Sequence, residues 1–343
     1  MSMDQIKQTP RPGRVTIRTV AADAGVSVAA VSKVLRNAYG VSDGLRANVR
    51  ESIERLGYRP SVAARGMRGQ TYTVGILLVE IANPYLPQVI DGVNDILGPS
   101  NYQAMVGIGQ SNMPLEATLI ESMIDYHMDG LILVAPQLMG EALAKYARQI
   151  PIVALAHHEP SSIDYDTVNA DDQFGARLAT QALLARGGGP PVMISLGGTS
   201  VADANVVRQR EKGYLAAMAE AGLAGAAQII YMPFATQDDG ASTRALLAGP
   251  NRPTGIFCWS DIHAVIVTNQ AKAMGLRLPQ DLAVVGYDNS SVAALPLIDL
   301  ASIDQSGRKQ GALAAQILLS RIQGRRVPNH FMLEPTLVRR SSI

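Results

Sequence analysis

At 343 residues the chain is longer than one hydrophobic core usually organises, and 47% apolar with 17% charged residues is the composition of a globular protein, so two or three structural units are expected. Aromatic residues make up only 5% while Gly and Ala are abundant, which favours close-packed α/β layers and argues against a β-sandwich. The formal net charge of +1 hides a split: residues 1–70 hold 12 Lys or Arg against 5 Asp or Glu, a net of +7, and the remainder holds 18 against 24, a net of −6. A basic head on a mildly acidic body is the electrostatic footprint of a nucleic-acid reader joined to something else.

Met1 to Arg14 is polar, with Pro10 and Pro12 and no apolar core of signal-peptide length, and reads as a disordered start. From Ile17, an apolar face of Ile17, Val20, Ala21 and Ala24 at helical spacing ends at Gly25, where positive φ terminates a helix. Ser27 can cap a second helix from about Val28 to Leu35, with Val31, Val34 and Leu35 turned inward. Its other face is small and cationic: Val28, Ala29, Ala30, Ser32, Lys33 and Arg36. Such a face suits a helix lying against base edges and phosphates in a major groove, although any αα-hairpin could show the same pattern. Val41-Ser42 starts a third helix with Leu45, Val49, Ile53 and Leu56 on one stripe and Gly57 at its end.

The combination of Val20-Ala21 to Gly25-Val26-Ser27, Val31-Ser32-Lys33-Val34-Leu35, Leu56-Gly57-Tyr58-Arg59-Pro60 and Ala63-Ala64-Arg65 resembles the lactose-repressor and galactose-repressor family of bacterial transcription factors. The resemblance implies a helix-turn-helix DNA-binding domain over 15–59, with DNA contacts at Thr16, Ser27, Val28, Ala29, Ala30, Ser32, Lys33, Arg36 and Tyr58. It also implies a hinge over 60–71, contributing Ser61, Ala64, Met67 and Arg68, that folds only on operator DNA and pairs with its copy in a dimer. Met67 stands at the minor-groove wedge position, where the family usually has Leu, and Gly66 replaces the more usual Ser. Read from its residues alone, this segment is marginal: Pro60 and Ala63-Ala64 tolerate a helix, while Gly66 and Gly69 oppose it by roughly 1 kcal/mol each.

After Thr73, apolar runs alternate with amphipathic helices. Val74 to Val79, Tyr102 to Ile108, Gly130 to Val134 and Pro151 to Leu155 read as buried strands, separated by helices from about Pro84 to Leu97, Leu115 to Tyr126 and Gly140 to Arg148. The rhythm restarts after Thr167-Val168-Asn169, with helices at 172–186, 206–221, 239–248 and 262–274 and strands at 191–196, 228–232, 254–259 and 282–286. Two parallel-sheet units suggest a cleft at the strand carboxyl ends. The resemblance continues here and implies the two-lobed periplasmic-binding-protein-like fold, with lobe one at about 72–165 and 295–326 and lobe two at about 166–294 and 327–343.

Several polar residues fall just after these strands. Asn83-Pro84-Tyr85-Leu86 resembles the family's Asn-Pro-Phe-Phe turn, with Tyr85 placed to stack on a ligand ring, and is equally a good turn and helix start. Arg210 matches the family arginine that holds hydroxyls or a carboxylate, whereas Arg208, two residues earlier, faces elsewhere as a surface ion-pair residue. Asp288 matches the cleft aspartate, Ser260 and Asp261 stand where the family has Asn-Asp or a similar pair, and Gln305 matches a pocket position; Asp261 could instead cap the helix behind it. Ala156 replaces the family's usual acid, and His157 and His158 follow; they either meet an anionic ligand or lie on the surface.

Chemistry beyond binding finds little support. Two adjacent histidines point apart and no third ligand is suitably spaced, so no metal is expected; Gly197-Gly198-Thr199-Ser200 lacks the Lys-Ser/Thr of a P-loop, and no cofactor or catalytic residue is expected. Cys258 is the only cysteine and no apolar run reaches about 18 residues, so a cytoplasmic protein without membrane contact is expected. The expected function is a homodimeric repressor of transcription that binds a palindromic operator and answers to a sugar, sugar acid or similar effector in the cleft. A transporter's solute-binding protein would have an export signal and no basic head, and an α/β enzyme would show a metal cluster or activated nucleophile.

Overall fold

A computed structural model describes residues 15–35, 38–59, 69–197, 205–233 and 240–343. They fall into two compact units, divided at Thr71 and Tyr72. Arg36, Ser61, Ala64, Met67, Arg68 and most of the expected hinge lie outside the described residues, as does the N-terminal stretch 1–14.

In the first unit, α1 (Ile17–Asp23), α2 (Val28–Leu35) and α3 (Asp43–Leu56) enclose a small core of Val20, Ala21, Ala24, Val31, Val34 and Val49. Leu35, expected inside, is instead 37% exposed, because α2 ends there and the core is already closed by Val31 and Val34. Local chemistry fixes the ends. Thr16 and Thr19 form a capping box on α1, the Ser27 hydroxyl accepts from the Ala30 amide, and Gly57 at φ +60 closes α3 with its N–H on the Glu54 and Ile53 carbonyls. Gly25, also left-handed at φ +66, turns the chain between α1 and α2. The Asp23 carboxylate accepts from Ser52 Oγ at 2.5 Å and Arg55 Nη2 at 2.6 Å, tying α1 to α3; these two bonds hold its carboxyl below the usual range.

The second unit has two six-stranded sheets. The first contains β1 (Thr73–Leu78), β2 (Gln103–Ile108), β3 (Gly130–Val134), β4 (Ile152–Leu155), β5 (Asp166–Ala170) and, from far along the chain, β11 (His330–Leu333), in the order β11-β5-β4-β3-β1-β2. The second contains β6 (Val192–Leu196), β7 (Ile229–Met232), β8 (Gly255–Cys258), β9 (Ala283–Tyr287), β10 (Ala301–Asp304) and β12 (Thr336–Val338), in the order β12-β10-β9-β8-β6-β7. Every pairing is parallel except that of β10 with β12. Helices α4 (Tyr85–Leu97), α5 (Met113–Asp125) and α6 (Glu141–Ala147) serve the first sheet. Helices α7 (Asp172–Leu184), α8 (Val206–Glu220), α9 (Ala241–Ala248) and α10 (Asp261–Ala273) serve the second, and α11 (Gly307–Ile322) returns to pack against α4.

The crossings between lobes lie elsewhere than expected. β5 belongs to the first sheet, although the expected boundary at 166 puts its residues in lobe two; β10 still belongs to the second sheet, so the return comes after Asp304 and not near 295. β11 pairs with β5, placing the last crossing after Leu333 and not near 327. β5 and β10 lead into α7 and α11 as other strands of the body lead into their helices, and β11 leads into β12 with no helix between; helix-strand alternation carries no information about which sheet such a strand joins.

α4 and α11 approach through two glycines. A Cβ on Gly92 would lie 1.9 Å from the Arg308 carbonyl oxygen, and one on Gly311 would lie 2.0 Å from that of Val89. Because the obstructing atoms are backbone, Gly311→Ala must separate the helices, and we expect a loss of about 1–3 kcal/mol in urea unfolding. Gly225→Ala, with nothing within 4 Å, is the control and should be near neutral.

Candidate functional site

Both sheets present the carboxyl ends of their strands to one cleft. From the first lobe come Glu80 and Asn83 after β1, Tyr85 at the start of α4, Ala135 and Gln137 after β3, and Ala156 after β4. From the second come Asn205, Val207 and Arg210 on or beside α8, Trp259 after β8, Asp288 after β9 and Gln305 after β10.

The backbone is shaped to this purpose. Ala135 at φ +51, Ala156 at φ +52 and Asp288 at φ +108 are left-handed non-glycine residues, a conformation that costs roughly 1–3 kcal/mol each and persists where surrounding structure imposes it. Glu116 on α5 imposes part of it. Its buried carboxylate accepts from the Gln137 and Leu138 amides at 2.9 and 3.0 Å and so fixes the loop that carries Ala135 and Gln137, while burial raises its pKa.

Arg210 is the centre of the polar network. Its Nε donates to Asp172 Oδ1 at 2.8 Å, its Nη1 donates to the Trp259 carbonyl at 2.5 Å, and Asp288 Oδ1 lies 3.9 Å from Nη1. The Tyr287 ring covers one face of the guanidinium at 3.6 Å and the Trp259 ring lies 5.5 Å away. The second oxygen of Asp172 bonds His158 Nε2 at 2.8 Å. Burial opposes ionisation of Asp172, but Arg210 and His158 outweigh it and hold the carboxyl below its ordinary range. Asp288 differs: burial pushes it up, against the opposing pull of Arg210. Its oxygens accept from Gln305 Nε2 at 2.6 Å and from Asn83 Nδ2 at 3.2 Å, and the latter bond joins the two lobes.

The structure therefore brings Asn83, Tyr85, Arg210, Asp288 and Gln305 together along the cleft. Tyr85 does so from within the first-lobe core, only 5% exposed. The other three expected residues do not line it. Ser260 Oγ bonds His263 Nδ1, and Asp261 neither reaches the cleft nor caps its helix, since its carboxylate receives the Ser290 amide at 2.7 Å and Ser302 Oγ at 2.5 Å, bracing the loop after Asp288 from behind. His157 is turned toward Tyr165, its Nε2 3.0 Å from the phenol oxygen, and is 1% exposed, so neither histidine lies on the surface. Arg208 forms an ion pair with Glu211, but not on the surface as expected, since the Glu211 carboxylate is buried.

Sequence reading missed Trp259, Asp172 and Tyr287. Trp259 is the chain's single tryptophan and directly follows a strand, a sufficient signal; Asp172 is indistinguishable from any acid in a first helical turn. In the head, Thr16, Ser27, Ala29 and Lys33 are exposed; Ala30 and Ser32 are half-buried; Val28 and Tyr58 are half-buried against the head's core. Arg18 and Arg50, not among the expected contacts, are exposed as well.

A helix-turn-helix head followed by a two-lobed α/β body with a polar interlobe cleft defines a ligand-responsive regulator of transcription. Residues 16–61 match the model of bacterial regulatory proteins, lacI family, and residues 180–343 match that of a periplasmic binding protein-like domain. The HTH-type transcriptional repressor PurR of Photobacterium profundum is 30% identical over 336 residues, covering 96% of this chain and 98% of that protein. The catabolite control protein A of Priestia megaterium is 31% identical over 306 residues, covering 89% and 91%. Among solved structures, a transcriptional regulator CelR–cellobiose complex is 27% identical with a TM-score of 0.69 over 96% of this chain and all of that one. The lac repressor dimer bound to operator and an anti-inducer, at 22% identity and a TM-score of 0.80 over 96% and 99%, shares the fold. The chain belongs to the lacI family of bacterial regulatory proteins, and it is a DNA-binding transcriptional regulator with a periplasmic-binding-protein-like effector domain.

Burial lowers the His157 pKa from 6.5 to about 4. As pH falls through that window the unfolded chain takes up a proton that the folded chain refuses, so stability falls with acidification, by about 3 kcal/mol in total. His157→Gln removes this contribution, and its stability between pH 6.5 and 4 should fall less steeply than that of the parent chain in denaturant titrations.

Proposed function

We propose that this regulator is a cytoplasmic repressor that binds a two-fold symmetric operator as a homodimer and is controlled by a sugar-type small molecule in the interlobe cleft. The observation that carries the reading is the polar network of Asn83, Arg210, Asp288 and Gln305 at facing strand ends, coupled in one chain to a helix α2 whose Ala29 and Lys33 stand exposed. The relatives support it: the PurR proteins and the ribose operon repressor of Haemophilus influenzae are named as repressors, and the CelR structure holds cellobiose. Support for a dimer comes from β2, an edge strand of the first sheet whose Met105 and Val106 are each 47% exposed, an apolar edge that a second copy can cover. On this reading α2 enters the major groove with Lys33 and neighbouring cations on phosphates, and the expected hinge residues Ser61, Ala64, Met67 and Arg68 contact the operator's centre.

A ligand controls DNA binding only through unequal affinity for two arrangements of the lobes. The Asn83–Asp288 bond across the cleft is one contact that such a ligand would replace.

Selection from a random duplex library should enrich a site of two-fold symmetry. Affinity for that site should fall by orders of magnitude between about 50 and 200 mM salt, because bound phosphates displace counterions. Deleting residues 1–60 should abolish DNA binding while leaving the folded body and its ligand-induced thermal shift intact. Operator binding retained by that truncation would refute the assignment of the head.

A further inference from the structure

Arg210 is the single cation that lines the cleft among the described residues, and Glu80 and Asp288 line it as acids. The segments that follow β6 and β7 in sequence, 198–204 and 234–239, contain no Lys or Arg and three Asp. Any ligand anion must therefore be met by Arg210. Yet Arg210 is already engaged: Asp172 takes Nε and the Trp259 carbonyl takes Nη1, with Asp288 nearby. A guanidinium grips a carboxylate or phosphate through two adjacent nitrogens, Nε with Nη2 or Nη1 with Nη2. The Nε–Nη2 fork is lost to Asp172, one of the two Nη1 hydrogens is held by the Trp259 carbonyl, and one face of the plane is covered by Tyr287.

Asp172 does not line the cleft. It is 1% exposed beneath Arg210 at the start of α7, locked from its other side by His158. Its charge cancels that of Arg210 before any ligand arrives. A second anion brought into this cleft would lose its hydration without gaining a free cation, an unfavourable exchange in a buried setting. An uncharged hydroxyl needs no such compensation: it can accept from Nη2 and donate to Asp288 or Glu80.

We propose that Asp172 is a positioning residue that sets the charge class of the effector: by occupying Arg210 it reserves the cleft for uncharged, hydroxyl-bearing ligands and rejects their carboxylate and phosphate counterparts. This narrows the sugar or sugar-acid range expected from the sequence to neutral compounds, and it rests on the effector-binding reading above.

The test uses the full chain and matched probes that differ in charge: ribose with ribose 5-phosphate, galactose with galacturonate, glucose with glucose 6-phosphate, and cellobiose. Binding is read by melting temperature and by the fluorescence of Trp259, the only tryptophan. Neutral members should bind, and a matched anion should bind at least about tenfold more weakly, the scale on which an unpaired buried charge is felt. In Asp172→Asn the guanidinium charge is released, so that ratio should shrink or invert, a change that a purely structural loss would not produce. The comparison in the unaltered chain decides the matter even where the variant fails to fold. Tighter binding of an anion by the unaltered chain would overturn the role of Asp172, whereas no response to any probe would overturn the sugar-effector reading itself and this inference with it.

Discussion

The pairing of Asp172 with Arg210 is the interaction on which the ligand-binding body depends. A guanidinium only 3% exposed is tolerable only with compensating charge and hydrogen bonds, and here these come from α7, the end of β8 and the end of β9. Removing one partner from such a buried pair costs about 3–5 kcal/mol, because the other charge is left uncompensated. The same network reaches Asn83 of the first lobe through Asp288. One arginine thus organises the second lobe's half of the cleft and its link to the first.

The head is governed by a different constraint, small size. Its fully buried apolar residues are valines and alanines, with Ile17, Leu45, Ile53, Leu56 and Tyr58 packed partly buried around them, and capping and polar ties add to that burial. Thr16, Ser27 and Ser42 each satisfy amides at a helix start, and Asp23 with Ser52 and Arg55 binds the first helix to the third. The arrangement keeps the inner side of α2 apolar and leaves Ala29 and Lys33 outside.

Most of this architecture was legible in the residues. Strand Gly130–Val134 falls where a continuous apolar run puts it, buried along its whole length, and the helix beginning at Val28 falls where hydrophobic period and capping chemistry put it. Sheet membership of Asp166–Ala170, Ala301–Asp304 and His330–Leu333 was not legible, since a short strand looks alike in either sheet. In the cleft, Arg210 and Asp288 followed from the family resemblance, but Asp172 and Tyr287 did not. Their importance arises only when distant segments meet around one guanidinium. His157 and Asp261 show the converse: suitable chemistry at a strand end, turned by packing toward Tyr165 and Ser302 instead of the ligand.

Control of transcription by a ligand in the cleft requires that occupancy of the cleft and occupancy of the DNA-binding surface be linked in one molecule. Linkage is reciprocal, so if a ligand changes DNA affinity by some factor, DNA must change ligand affinity by the same factor. The most direct measurement titrates a neutral sugar that binds the cleft, read by Trp259 fluorescence, with and without saturating operator duplex. A ligand dissociation constant displaced by the same factor as the operator's own is the predicted result. A ligand affinity indifferent to DNA would contradict that linkage and leave the two units as independent binders.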